Sequence, residues 1–264
     1  MHSVGFIGGG RIARILIGGW ARKGLGPVTV LVHEPDGAAF DALTGVAPRV
    51  QRASALEAAA APVVFVALHP PAIAAALAAL RPAIRPDTIL VSLAPKITLA
   101  ALSDRTGTSR VARMIPNAPS LLGLGYNPVT YGAGLDWHGR GALSALFSPW
   151  GDAPEVEEST LEAYALVTGM GPTYFWFQWQ TLRELASEMG VAAADRDRAL
   201  GAMIRGAVAT LLDSGLSPSA VMDLVPVKPL ADVEPGLRAA YREALPALHA
   251  KIQPAQQAAS VSHP

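Results

Sequence analysis

Directly after the apolar run Val4–Ile7 the chain reads Gly8-Gly9-Gly10-Arg11-Ile12-Ala13, and directly after that it takes up helical spacing. This meets a G-x-G-x-x-[G/A] pattern in the context that gives it a mechanism, a strand turning through glycine into a helix. Gly8 permits the tight turn, Gly10 lets a pyrophosphate approach the backbone, and Ala13 lets helix and strand pack closely. The unpaired N–H groups of the helix N-terminus then face the phosphates. The chemistry implied is the holding of a nicotinamide dinucleotide. Glu34 ends the second apolar run, at the distance where a carboxylate accepts hydrogen bonds from the adenosine ribose. Such a carboxylate favours NAD and repels a 2′-phosphate; read instead as an exposed loop glutamate, it leaves Arg49 or Arg52 to reach that phosphate. His69 follows the run Val63–Leu68 at the carboxyl edge of a strand, either as a hydrogen-bonding partner for phosphate or ribose or as a solvated loop histidine. Ser92–Pro95 leaves the next strand in the same way, with backbone that could face the nicotinamide.

These residues need a scaffold. Apolar runs rich in valine and isoleucine recur at Val4–Ile7, Val28–Val32, Val63–Leu68 and Ile89–Leu93, separated by helix-like stretches, which predicts parallel strands joined by crossover helices. Val111–Ile115 and Pro128–Tyr131 extend the series, and the sheet is expected to end near Leu146. From Glu155 the valine-rich runs disappear and apolar residues fall at helical spacing. One helix is expected from Pro172 to just before Gly190, a natural left-handed cap, and another from about Ala194 to Leu212. The fold class is therefore α/β, an N-terminal Rossmann-type parallel sheet followed by an all-helical domain. Residues 1–152 form the dinucleotide-binding domain and 153–252 a helical dimerisation and substrate domain, with 253–264 a flexible tail. Surplus apolar helix faces suit a subunit interface, so a homodimer or larger homo-oligomer is expected. Tyr174–Trp179 is an aromatic run expected in core or interface, and Asp195–Arg198 is expected to be a solvated first helical turn.

Composition narrows the partners. The 264 residues are 51% hydrophobic, and Lys plus Arg equals Asp plus Glu at 21 each, so no net field favours nucleic acid or an anionic membrane. No cysteine is present, which removes thiolate metal sites and cysteine nucleophiles. The six histidines form no close pair at ligand spacing, so no metal is expected. The N-terminus has no signal-peptide pattern, and proline breaks the Ala-rich segments well short of the roughly 20 residues of a membrane span. A cytoplasmic location is expected.

Several segments together resemble the pyrroline-5-carboxylate reductase family, which reduces a cyclic imine to proline with NADPH or NADH. GFIGGGRIA is similar to that family's G-F-I-G-x-G-x-[ML]-A, and VALHPP sits where its A-V-K-P-x loop falls. RMIPNAPSLLGLG resembles its R-x-M-P-N-x-P-x-x-x-x-x-G, and TGMGPTY its S-G-S-G-P-A-Y at the start of the long dimerisation helix. The resemblance implies an oxidoreductase of proline biosynthesis, with Ile7, Gly8, Gly9, Gly10, Arg11 and Ile12 around the pyrophosphate. It further implies Ala67, Leu68, His69 and Pro70 beside the ribose, Ala94 and Pro95 near the nicotinamide, and Asn117 of the third segment on the cofactor side. Met170 and Gly171 fall at the substrate.

The chain departs from that family after Asp223. Where the family carries V-[TS]-S-P-G-G-x-T, with its threonine at the imine nitrogen, this sequence reads Leu224–Asp232 with no glycine and no threonine. Ungapped alignment sets Asp232 at that threonine, where, if buried, it stabilises an iminium or donates a proton, or else stands as an ordinary carboxylate before a helix. Reduction of a small cyclic imine is the leading expectation. A ketone or hydroxy-acid oxidoreductase keeps the same cofactor half. A nucleotide-binding member without reductase activity accounts for the altered loop.

Overall fold

Branched side chains suit a pleated surface covered on both faces, and the valine-rich runs accordingly become the strands of one central sheet. The computed structural model describes residues 2–47, 49–68 and 70–254, with the backbone alone at 70–72. In chain order the first half is β1 (Ser3–Ile7), α1 (Arg11–Lys23), β2 (Thr29–His33), α2 (Gly37–Thr44), β3 (Val50–Arg52), α3 (Ala55–Ala59), β4 (Val63–Val66), α4 (Pro70–Leu80), β5 (Ile89–Ser92), α5 (Leu99–Thr106) and β6 (Val111–Met114). There follow β7 (Gly125–Tyr126), β8 (Val129–Tyr131), α6 (Trp137–Phe147), β9 (Gly151–Asp152) and α7 (Leu161–Tyr164), then a π-helical turn at Ala165–Met170. The helices α8 (Gly171–Glu188), α9 (Ala193–Asp213), α10 (Pro218–Asp223) and α11 (Glu234–Ile252) complete the chain.

The main sheet has the order β3-β2-β1-β4-β5-β6-β8. All pairs through β6 are parallel, with Phe6 beside Phe65 and Ile7 beside Val66. β8 joins antiparallel, Met114 opposite Val129. The sheet ends there, earlier than the expected close near Leu146, because α6 occupies that stretch and lays Leu143, Leu146 and Phe147 on the core. The strand order reverses between β1 and β4, which makes the carboxyl ends of those two strands the topological switch point where ligands of open α/β sheets bind.

Alternation along β1 sends Val4 and Phe6 to one face and Ile7 to the other. On the first face Phe6 stacks on Phe65 at 4.8 Å and Trp20 on Trp150 at 4.7 Å. Both indole N–H groups are satisfied: Trp20 donates to the Leu146 carbonyl at 2.8 Å and Trp150 to that of Leu16 at 2.7 Å. Each such buried ring contributes about 1.5–3 kcal/mol of transfer free energy, so this cluster anchors α1, and with it the glycine turn, to the sheet.

The chain divides into two compact units, Met1–Met170 with the residues from Leu248, and Gly171–Ala247. The division falls later than the boundary expected at 152, because residues 158–170 are bound to the sheet through ion pairs and hydrogen bonds described below. Gln253, expected to open a flexible tail, donates its N–H to the His249 carbonyl at 3.2 Å; residues 255–264 lie outside the described ones.

In the second unit α8 and α9 have the expected lengths, and Gly190 takes the left-handed φ of 87° expected of the residue that stops α8. The aromatic run does not form a core within this unit. Phe175 and Trp179 stack at 5.7 Å, yet Gly171 is the one buried residue among 171–247. The charged run is a correction in part. Asp195, Asp197 and Arg198 are exposed as expected, but Arg196 is largely covered, and Asp197 accepts bonds from it at 2.7 Å and from Arg183 at 2.7 and 2.9 Å, tying α9 to α8. These guanidinium bonds, Arg183 first, hold the Asp197 carboxyl well below the usual carboxylate range. Among the described residues no helix is long and apolar enough to cross a membrane.

Candidate cofactor site

The glycine turn sits at the switch point, fixed from both sides: Gly8 donates its N–H to the His33 carbonyl at 2.9 Å, and Ala67 donates to Ile7 at 2.8 Å. Gly8 has φ of 99°, and a Cβ there would stand 2.6 Å from the Ala67 carbonyl oxygen, so no other residue type fits. Gly10 differs. A Cβ added to it would meet no protein atom within 4 Å, and Gly10 lines a cavity, so the space over this backbone is left for a ligand. Gly10 also caps α1 without a side-chain bond, and no acidic residue occupies the first turn, leaving its N–H groups for an anion. These features fit a dinucleotide pyrophosphate.

The cavity measures about 490 Å³ and is lined by Gly8, Gly10, Arg11, Ile12, Glu34, Ala67, Leu68, Leu93, Ala94 and Pro95. It therefore gathers residues from the ends of β1, β2, β4 and β5, which no sequence neighbourhood joins. Leu93 falls within the stretch Ser92–Pro95 expected at this edge, although its type alone marks only the end of an apolar run. Ile7 is buried in the strand below, and Gly9 is tied down rather than open, its N–H donating to Glu34 Oε2 at 2.8 Å. The other oxygen of Glu34 accepts the Asp36 N–H at 2.9 Å, so the carboxylate is held at the rim of the turn by two backbone donors. Arg52 stacks on the Phe40 ring at 4.1 Å and donates to the Glu34 carbonyl at 3.3 Å, whereas Arg49 is turned to the Pro27 carbonyl. His69 lies outside the described residues, and Pro70 is the first residue of α4, its side chain likewise outside them.

Asn117 has other employment. Its side-chain oxygen accepts from Ser120 and from the Tyr126 N–H, both at 3.3 Å, and its amide donates to the Thr168 carbonyl at 3.2 Å. It is buried and knots the β6–β7 connection to the π-helical turn. Met170 ends that turn, half-buried, and Gly171 begins α8. π-Turns of this kind concentrate at functional positions. Asp232 is exposed in the turn before α11, where its side chain makes no hydrogen bond or ion pair among the described residues. The same residues contain no cluster of acidic or histidine side chains able to hold a metal ion.

A buried charge cluster lies beside the site. Arg113 on β6, fully buried, pairs with Glu162 and with Glu158 at 3.0 Å. The first carboxylate also accepts the Lys96 N–H at 3.3 Å and the second the Leu99 N–H at 2.7 Å. The motif segment RMIPNAP contained Arg113, but partners more than forty residues away gave no local signal.

A switch-point cavity with a glycine turn, an uncapped helix N-terminus and a carboxylate at its rim fits a dinucleotide, and together with the chain's similarities to known proteins it places the chain among the NAD(P)-dependent oxidoreductases of the Rossmann type. Within that class the chain resembles the pyrroline-5-carboxylate reductases. The enzyme of that name from Pseudomonas aeruginosa is 29% identical over 223 residues, 82% of this chain and 80% of the relative. The one from Escherichia coli is 27% identical over 229 residues, 84% of each. A family model described as NADP oxidoreductase coenzyme F420-dependent matches residues 3–96. Among solved structures, the Plasmodium falciparum pyrroline carboxylate reductase with NADP bound aligns with a TM-score of 0.69 at 17% identity, covering 95% of this chain and 94% of that one. The two-part layout of sheet and helices is shared with it.

Proposed function

We propose that this oxidoreductase reduces a small cyclic imine of the pyrroline-5-carboxylate type. The observation that carries this reading is the similarity to enzymes of that name over more than four-fifths of the chain. The reduced dinucleotide supplies the hydride when bound. The chain's own part is to hold it: the turn at Gly8–Ile12 and the α1 N-terminus for the pyrophosphate, Glu34 for the adenosine ribose, and Ala94 and Pro95 beside the nicotinamide. The imine carbon takes the hydride and its nitrogen a proton, so a group must stand near that nitrogen. The resemblance of TGMGPTY supports substrate-facing roles for Met170 and Gly171, and ungapped alignment through the altered loop makes Asp232 the candidate for the nitrogen. A homodimer is part of the proposal, supported by the helical unit itself: Phe177 is 62% exposed and Leu212 72%, side chains that ordinarily find cover.

A panel of cyclic imines, ketones and hydroxy acids, run with NADH and with NADPH, tests the reading. Imine turnover is the expected result. Turnover of ketones alone moves the chain to a different reaction, and nucleotide binding without any turnover ends the reductase proposal. Asp232→Ala on the working substrate separates its two possible parts: lost turnover with intact nucleotide binding supports the nitrogen contact, and an unchanged rate removes it.

A further inference from the structure

Ala94 and Pro95 line the cofactor cavity, yet they sit on a turn with little to stiffen it from within. Lys96, next in the chain, is the only non-glycine residue with a positive φ among the described residues, at 71°. A side-chain-bearing residue persists in that region only where its surroundings over-determine the backbone. Here they do so from a distance. Glu162 accepts the Lys96 N–H, and Glu158 accepts the Leu99 N–H at the start of α5, so both ends of the Lys96–Leu99 stretch hang on carboxylates. One planar guanidinium, that of Arg113, engages both carboxylates from beneath, and it is fully buried, as Glu162 nearly is. A guanidinium offers donors in a rigid planar fork and so fixes two carboxylates relative to one another more tightly than an ammonium, whose three donors rotate.

We propose that Arg113 is a positioning residue for the reaction: acting through Glu162 and Glu158, it holds the turn that carries Ala94 and Pro95 at the nicotinamide end of the cavity. This rests on the cofactor placement proposed above. Removing a charge from a buried pair leaves its partner uncompensated, so the turn relaxes while the glycine turn and Glu34, which share no contact with this cluster, stay as they are.

The test uses the full chain with Glu162→Gln, Glu158→Gln and Arg113→Lys. Calorimetry measures NADH and ADP-ribose, the latter lacking the nicotinamide, and amide exchange is followed at Lys96 and Leu99. Loss of one charge-assisted bond should speed exchange at these two amides and weaken NADH by about tenfold, while ADP-ribose binding changes by less than about twofold. Glu158 is partly exposed, so its variant keeps the test open should the Glu162 or Arg113 variant fail to fold. Equal losses for NADH and ADP-ribose would show a general structural role and overturn the proposal. Faster exchange with unchanged NADH affinity would overturn it as well. A parent protein that binds neither nucleotide would refute the cofactor placement itself, and this inference with it.

Discussion

Glu34→Gln tests how the site selects its dinucleotide. The carboxylate lines the cavity and is held by the Gly9 and Asp36 N–H groups at 2.8 and 2.9 Å, so its charge cannot swing away from an arriving ribose. Two unit charges about 4 Å apart repel by roughly 1 kcal/mol in bulk water and by roughly 4 kcal/mol at the effective dielectric of a protein surface. Glu34 is half-exposed, which favours the lower part of that range, about 1–2 kcal/mol against a 2′-phosphate. Glutamine keeps one acceptor, enough for the Gly9 N–H, and loses the charge together with the bond from the exposed Asp36 N–H. The NADPH-to-NADH affinity ratio should therefore rise by about 5- to 30-fold, with NADH itself changing by no more than a few-fold. Fluorescence titration of both reduced dinucleotides, at low and at high salt, measures it, and the shift should shrink with salt. A ratio that does not move refutes the electrostatic argument. So does a parent that already prefers NADPH, in which case Arg52, beside the Glu34 carbonyl, becomes the phosphate ligand.

Gly8→Ala must place a Cβ 2.6 Å from the Ala67 carbonyl oxygen at φ of 99°. Strain of roughly 1–3 kcal/mol should lower Tm by several degrees and weaken NADH at least about tenfold, read by calorimetry. Asp197 has a lowered folded-state pKa, so its contribution to stability is complete above the unfolded value near pH 4 and is lost as pH falls further toward the folded one. The Tm gap between the parent and Asp197→Asn should accordingly be constant from pH 7 to about 5 and shrink progressively as pH falls below about 4 toward the much lower folded-state value; a gap that stays undiminished from pH 5 down to about pH 2 contradicts the ion-pair account. In the helical unit, Phe177→Glu should lower the oligomeric mass seen by sedimentation if that exposed ring sits in a subunit interface, while the parent sediments as a dimer or larger.

Short-range physics made much of this protein readable. A glycine turn, a strand edge, a capping glycine at 190 and the helix lengths after it depend on residues a few positions apart, and their types decide them. The switch-point cavity was legible for that reason, in that most of the residues lining it were already singled out by the glycine turn and the strand edges. The three-residue β3 and the two-residue β7 and β9 escaped, because so few residues carry no periodicity. The antiparallel sense of β8 and the employment of Asn117 escaped as well, since both follow from what the chain meets after it has folded back. Arg113, Glu158 and Glu162 show the boundary between the two kinds of information. Glu158 and Glu162 look like ordinary surface residues by type and neighbourhood, and Arg113, inside the apolar run Val111–Ile115, carries no local sign of its partners. Only the sheet, by burying β6 and drawing residues 158–162 onto it, removes the water that would otherwise satisfy Arg113 and Glu162. With that water gone they must satisfy one another, and so they fix the turn that carries Ala94 and Pro95.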